Sequence, residues 1–130
     1  MKNIDYEYII PLTAPTYLFV GEKPVTVLFE EERVNVKSWR EVYSVILKRC
    51  NDNPEHHEKL MYLRNKVAGK VRIFLSDKPD GMTRPYKIDE NLDGEVNYGS
   101  STLIHILINH ILIPAGFDCY SVSLVLKRKY

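Results

Sequence analysis

The chain has 130 residues, of which 45% are hydrophobic and 27% are charged, and its formal net charge is +1. This composition is ordinary for one globular domain with an apolar core, so we expect a single domain over residues 1–130. A net charge near zero argues against a protein that coats duplex nucleic acid by bulk electrostatics. The longest apolar run, Leu103–Ile113, contains polar residues and is shorter than the ~20 residues of a membrane-spanning helix, so we expect no membrane partner.

The beginning of the sequence indicates the compartment. It lacks the basic region, apolar core and small-residue cleavage site of a secretory signal, so we expect a cytoplasmic protein. A reducing compartment in turn predicts that Cys50 and Cys119 are free thiols. Because cysteine behaves as a small hydrophobic side chain, both thiols are predicted to be buried or half-buried.

Charge is segregated along the chain. Residues 1–32 hold six acids and two bases, whereas residues 66–87 hold six bases and two acids. Asp89–Glu95 reverses the sign with four acids. Such blocks are typical either of solvated faces or of surfaces that bind a charged partner, and both interpretations stay open.

The front of the chain is predicted to be β-structure. The runs Thr16–Val20, Val25–Phe29 and Arg33–Val36 are rich in β-branched and aromatic residues. Turn residues separate the first two runs, and three consecutive glutamates separate the last two. The pattern favours one strand followed by a β-hairpin.

Two helices are predicted next. Ser38 and Glu41 have the spacing of a capping box, so the first helix should begin at Trp39. Asn53 is a good cap and a proline is tolerated at the first helical position, so the second helix should begin at Pro54. The predicted buried faces are Val42, Tyr43, Ile46, Leu47 and Cys50 in the first helix and Leu60, Leu63 and Val67 in the second.

A strand and a basic loop are predicted after the second helix. Gly69 is placed to end the helix, and Val71–Leu75 has the composition of a strand. Ser76–Tyr86 contains two prolines and a glycine and is predicted to be a loop. Glu95–Tyr98 is short enough for an edge strand.

The last part of the chain is predicted to contain a buried helix and a strand. Gly99–Ser101 supplies a turn and an N-cap, and residues 103–112 are apolar almost all round, so this helix should be sandwiched within the fold. Pro114 and Gly116 end it, and alternation over residues 120–127 indicates a strand. Together the elements predict an α+β two-layer sandwich, in which three helices, one of them buried, pack on a largely antiparallel sheet.

The usual catalytic, metal and cofactor patterns are absent from the sequence. His105 and His110 are five residues apart, so a regular α-helix would place them on different faces. His56 and His57 are adjacent and point in different directions, and Asp80 is not followed by the acid–any–lysine triplet of a metal-dependent nuclease. We therefore expect no metal, no cofactor and no enzymatic activity, although an uncharacterised enzyme stays an alternative.

The remaining signal is a set of cations and tyrosines, which are suited to phosphates, carboxylates and bases. Arg72 and Arg84 would bridge phosphate or carboxylate groups. Lys78 and Lys87 would steer association, and Tyr86 would stack. The alternative is that these residues are simply exposed. The candidate binding residues are Lys70, Arg72, Lys78, Arg84, Tyr86, Lys87, Lys127, Arg128 and Lys129.

Four stretches of the chain follow a familiar order. Val36–Val42 opens a helix, Ile73–Ser76 precedes a proline-rich loop, Gly94–Ser100 enters another helix, and Ala115–Asp118 closes it before a final strand. In this order they resemble a small α+β module at the C-terminal ends of bacterial and phage restriction- and defence-related proteins. The resemblance implies an accessory recognition or interaction domain, with any nuclease elsewhere on the polypeptide.

The resemblance covers residues 36–130 and leaves residues 1–35 as an acidic N-terminal part. Together with the basic residues, it predicts a non-enzymatic module of defence or counter-defence type that binds nucleic acid or a nucleic-acid-bound protein through Lys70–Lys87, with the basic tail as a further candidate contact. The alternative is a protein-only inhibitor, similar to an anti-CRISPR protein, whose acidic surface around Glu30–Glu32 and Asp89–Glu95 engages a basic groove. The partner's identity and the oligomeric state stay open.

Overall fold

A computed structural model describes residues 5–68 and 72–129 of the chain. The predicted helix end at Gly69, the start of the predicted strand at Val71 and the candidate residue Lys70 therefore lie outside the described residues. Over the described ranges the helices and strands are β1 (Asp5–Pro11), β2 (Lys23–Leu28), β3 (Arg33–Asn35), α1 (Trp39–Asp52), α2 (Pro54–Leu63), β4 (Val67–Ala68), β5 (Arg72–Ile73), β6 (Leu75–Ser76), β7 (Pro85–Asp89), β8 (Leu92–Glu95), α3 (Ser100–Ile106), a π-helical segment (Leu107–Leu112), α4 (Ile113–Ala115) and β9 (Ser123–Lys129).

The larger sheet is antiparallel and has the strand order β1-β9-β2-β3 within the described residues. The last strand pairs with the first from Asp5↔Lys129 to Pro11↔Ser123, and on its other side it pairs with β2. The hairpin of β2 and β3 is confirmed. The predicted strand at Thr16–Val20 is wrong, because Thr16–Phe19 is a 3₁₀ helix, and β1 was not predicted.

A second antiparallel sheet has the order β6-β8-β7 in the described part of the chain. Its β8 lies at the centre and is buried throughout, so the prediction of an edge strand at Glu95–Tyr98 is wrong. The strand predicted over Val71–Leu75 is broken at Phe74, which separates β5 from β6. The predicted loop is shorter than expected, because β7 already begins at Pro85.

The two caps predicted for α1 and α2 are confirmed. Ser38 Oγ accepts a hydrogen bond from Glu41 N at 3.2 Å, and Asn53 Oδ1 accepts one from Glu55 N at 3.0 Å. The Glu41 carboxylate accepts a hydrogen bond from Lys37 N at 2.7 Å. In a regular capping box it would accept from the amide of Ser38 instead. Helix α2 ends at Leu63, well before Gly69, and Val67 lies in β4.

The end of α2 depends on Asn65, which adopts a left-handed φ of 62°. Asparagine tolerates this conformation better than most residues. Its side-chain oxygen accepts a hydrogen bond from Ser76 Oγ at 2.9 Å, so the turn is tied to β6. This contact is distant in sequence, and for that reason the local pattern did not reveal it.

The third helix runs without a break from α3 through the π-helical segment to α4, and its apolar residues form much of the core. Ile113 N donates to Ile108 O, which is the i→i+5 pattern of a π-helix. Gly116 ends the helix with a left-handed φ of 83°, as predicted, and the N-cap is Gly99, within the predicted Gly99–Ser101 turn. The predicted α+β fold with helices against antiparallel sheets is confirmed. No helix in the described ranges is both long and apolar enough to span a bilayer.

Candidate functional site

The predicted basic residues fall on two different sheets. Lys78 and Arg84 are exposed on the loop between β6 and β7, and Lys87 is exposed on β7. Lys127 and Arg128 lie on β9 of the larger sheet. Lys70 is not described, and the side chains of Arg72 and Lys129 lie outside the described part. The structure therefore places the described members of the predicted set beside two different sheets, and the set as a whole stays a prediction.

Arg128 is engaged within the fold. Its guanidinium forms an ion pair with Glu22, whose side chain is only 6% exposed, and Arg128 Nε donates to Glu22 Oε1 at 2.6 Å. Tyr8 Oη donates to the same oxygen at 2.7 Å. The hydrogen bond from Arg128 holds the pKa of Glu22 below its usual value, while burial and the Glu22 hydrogen bond raise the pKa of Tyr8 to about 12. Arg128 therefore has a structural role, because it pairs with the buried carboxylate of Glu22.

Tyr86 is not placed to stack on a ligand held by Lys87. Tyr86 is half-buried and packs against the hydrophobic core, whereas its neighbour Lys87 is exposed. Lys48 Nζ of α1 lies 5.7 Å from the centre of the Tyr86 ring. The tyrosine therefore packs against α1, whereas Lys87 faces solvent.

The basic loop is held by a buried carboxylate. Glu95 of β8 is 4% exposed and accepts hydrogen bonds from Thr83 N at 2.6 Å and Arg84 N at 2.8 Å. A third comes from Asn97 N at 3.2 Å. These bonds fix the backbone of the loop and leave the side chain of Arg84 exposed.

A different group of cations, which were not among the candidate residues, converges in one cleft of about 380 Å³. We call it the cationic cleft. Lys23, Lys37 and Arg40 supply its positive charges, and its full lining is Glu22, Lys23, Pro24, Lys37, Ser38, Trp39, Arg40, Tyr98, Ser100 and Leu103.

Local sequence explains why these elements meet. Ser38 starts α1 and Gly99 starts α3, so two helix N-termini, each with a partial positive charge, border the cationic cleft. The Trp39 ring packs on Phe19 with centroids 5.2 Å apart, and Trp39 Nε1 donates to Glu22 O at 3.0 Å. These contacts hold the Trp39 side chain, which lines the cationic cleft, in place.

The charges of the cationic cleft are not neutralised internally. Over the described ranges, the side chains of Lys23, Lys37 and Arg40 form no ion pair. Arg40 Nε is buried without a hydrogen-bond partner there. The carboxylate that borders the cleft, Glu22, is already bound by Arg128. The cleft is therefore suited to an anion.

Four aromatic side chains form a second feature, which we call the aromatic row. Tyr98, which lines the cationic cleft, packs edge-on against Phe74 with ring centroids 6.2 Å apart. Phe74 packs against His110 at 5.2 Å, and His110 against His105 at 6.1 Å. The row thus connects the cleft with two histidines of the third helix.

The contact of His105 with His110 corrects the argument from α-helical spacing. Hydrogen bonds in the π-helical segment run from i to i+5, so residues five apart lie on one face. Asn109 Nδ2 donates to His105 O at 3.1 Å and so supports this turn. Among the residues described, no group of three or more histidines, cysteines or acids is placed to hold a metal ion.

Only one part of the cationic cleft is visible in the sequence. Lys37 and Arg40 flank the Ser38 cap, so a helix start with cations on both sides was visible. Lys23 and Tyr98 reach the cleft from distant parts of the chain, and no local pattern predicts that.

The cysteines are free and buried, as predicted. Burial raises the pKa of the Cys50 thiol to about 12, and burial also raises that of Cys119. Since a nucleophilic cysteine needs its thiolate, neither residue is suited to nucleophilic chemistry.

Comparison with known proteins finds no family model that matches this chain, no similar curated protein and no similar solved structure.

Proposed function

We propose that this protein is a non-enzymatic binding module that recognises nucleic acid, or a protein in complex with nucleic acid, through the cationic cleft. The observation that supports the proposal is the convergence of Lys23, Lys37 and Arg40 without a carboxylate partner in the described residues. Nucleic acids present closely spaced phosphates, and cations of this kind exchange with their counterions. The resemblance to defence-associated modules suggests a defence or counter-defence context.

The serines of the cationic cleft support binding rather than catalysis. Ser38 Oγ accepts from Glu41 N, and Ser100 Oγ donates to Phe19 O at 3.5 Å. Both hydroxyl groups therefore form hydrogen bonds with backbone atoms. A nucleophilic serine would instead need an adjacent base.

The loop between β6 and β7 offers a second contact. Lys78 and Arg84 are exposed there, on a backbone that Glu95 fixes. These side chains are suited to bind phosphates that lie outside the cleft.

A protein-only inhibitor that uses an acidic surface has less support. Asp93 and Glu95 are 6% and 4% exposed, so neither adds to a surface charge pattern. Glu32 forms an ion pair with Arg49, and Asp89 accepts a hydrogen bond from Asn51 at 2.8 Å. Much of the predicted acidic surface is thus engaged within the fold.

The proposal is tested by fluorescence anisotropy with labelled single- and double-stranded DNA and RNA over a series of salt concentrations. We expect the affinity to fall linearly with salt on logarithmic axes, by a slope of about 0.7–0.9 for each phosphate contact. The double variant Lys23→Gln/Lys37→Gln should bind more weakly and with a smaller slope. Both residues are exposed, so the substitutions leave the core intact.

The matched control is Lys59→Gln, which removes an exposed cation of α2 that does not line the cleft. Its affinity should equal that of the wild type. The double variant Lys78→Gln/Arg84→Gln measures how much the loop contributes to the affinity. Absence of binding to all four nucleic acids would contradict direct recognition of nucleic acid, and equal binding by the Lys23→Gln/Lys37→Gln variant and the wild type would contradict a role for the cationic cleft.

A further inference from the structure

The cationic cleft and the aromatic row share Tyr98. Tyr98 lines the cleft and its ring packs against Phe74, from which the row continues to His110 and His105. A ligand held in the cleft by its phosphates therefore meets aromatic rings as it leaves. The two features are therefore contiguous, and we call the cationic cleft and the aromatic row together the path.

The far end of this path is open to solvent. His105 and His110 are exposed, whereas Phe74 and Tyr98 are half-buried and pack against the core. The half-buried rings support the row, and the exposed imidazoles offer the surface for contact. The π-helical segment is what brings both imidazoles to one face.

We infer that this path binds a single-stranded nucleic acid, with its phosphates in the cationic cleft and its bases against the aromatic row. The inference rests on the proposed function and adds the choice of single strand over duplex. Cations that follow the backbone, combined with aromatic rings on which bases stack, are the usual means of binding single strands without sequence preference. In a duplex the bases stack on one another and are not available to the rings.

The first experiment compares three probes of equal length: a single strand, a duplex of the same sequence and an abasic single strand. Trp39 is the only tryptophan in the chain and lines the cleft, so its fluorescence reports occupancy without a label. We expect the single strand to bind at least about tenfold more tightly than either the duplex or the abasic strand. The abasic strand should keep a comparable salt slope, because it keeps the phosphates.

The second experiment changes the row at its exposed end. His110→Ala should weaken single-strand binding by about tenfold, and His110→Phe, which keeps a ring, should restore it. At pH 8 the salt slope of both variants should match that of the wild type, because the substitution removes stacking and no phosphate contact. Tyr120→Ala is the control, since this tyrosine is 86% exposed and belongs to neither feature.

Each outcome decides between the two proposals. Equal affinity for the single strand, the duplex and the abasic strand overturns this inference and leaves the proposed function intact, because phosphate contacts alone then explain binding. A His110→Ala variant that binds like the wild type also overturns it. No binding to any probe overturns this inference together with the direct recognition of nucleic acid on which it rests. Circular dichroism confirms that each variant is folded before it is measured.

Discussion

Glu22 and Arg128 form an ion pair that joins the residue before β2 to the end of β9, 106 residues away along the chain. The glutamate side chain is 6% exposed and the arginine side chain 47%. Since a buried carboxylate is costly without partners, Tyr8 supplies a further hydrogen bond at 2.7 Å. The backbone oxygen of Glu22 also accepts a hydrogen bond from Trp39 Nε1, so this network holds Trp39, which lines the cationic cleft, in place.

We predict that Glu22→Gln lowers the free energy of unfolding at pH 7 by about 1–3 kcal/mol, because the charged hydrogen bond to Arg128 is lost. The folded-state pKa of Glu22 lies below its usual value of 4.5. Its contribution to stability is therefore complete above pH 4.5 and is lost as the pH falls through the folded-state pKa. Urea denaturation of the wild type and the variant at pH 7 and at pH 3 should show the difference shrinking in acid.

Glu31→Gln is the matched control, since Glu31 is an exposed glutamate of the same part of the chain. It should leave the free energy of unfolding nearly unchanged at both pH values. Some acid sensitivity should persist in Glu22→Gln, because the hydrogen bond from Asn51 also lowers the pKa of Asp89. An unchanged difference between wild type and Glu22→Gln across this range would refute the linkage.

A second prediction concerns Gly94→Ala. A Cβ at this position would overlap the hydroxyl group of Tyr43 and lie 3.0 Å from two of its ring carbons. Tyr43 is fully buried and has little room to move, so we expect Gly94→Ala to destabilise the fold by about 1–3 kcal/mol. Thr102→Ala, which shortens an exposed side chain of α3, is the control. Thermal denaturation should give a clear fall in Tm for Gly94→Ala only.

Tyr43→Phe should leave the stability unchanged or raise it. The Tyr43 hydroxyl is buried without a hydrogen-bond partner in the described structure, and its burial raises the pKa of the group. Removing an unsatisfied hydroxyl removes a desolvation cost of about 1–3 kcal/mol. The double variant Tyr43→Phe/Gly94→Ala should therefore recover part of the loss. A large fall in Tm for Tyr43→Phe alone would mean that the hydroxyl has a partner.

The cysteines should not react with thiol reagents in the folded protein. Burial raises the pKa of Cys50 to about 12 and also raises that of Cys119, so at pH 8 the reactive thiolate is scarce. We expect negligible labelling by a disulfide reagent under native conditions and labelling of both thiols in denaturant. Thr102→Cys places a thiol at an exposed position of α3 and should react within the folded protein.

The parts of the fold that short-range signals determine could be predicted from the sequence. Ser38, Asn53 and Gly116 mark the helix ends that the structure shows, because caps satisfy backbone groups within a few residues. The end of α2 could not be predicted, since it depends on the distant contact between Asn65 and Ser76. Strand β1 was missed because its pairing with β9 joins the two ends of the chain.

The candidate site was less predictable for the same physical reason. Arg128 looked free in a basic tail, yet Glu22 is its partner. His105 and His110 looked separated, since α-helical geometry was assumed, and nothing in the pattern distinguishes a π-helical turn from an α-helical one. The cationic cleft combines residues from three separate parts of the chain, and only the fold brings them together.

Glu95 gives the last prediction. Its buried carboxylate accepts hydrogen bonds from the backbone amides of Thr83, Arg84 and Asn97 through both oxygens. A glutamine has one acceptor oxygen, and its NH₂ group would face backbone N–H groups that are also donors. Glu95→Gln should therefore release the loop, and hydrogen exchange at Thr83 and Arg84 should quicken by at least about tenfold. Glu90→Gln, which changes an exposed carboxylate, is the control. Because the loop carries Arg84 but does not line the cationic cleft, the loosened variant should keep the affinity that the cleft provides. Unchanged exchange at both amides would show that the loop is held by other contacts.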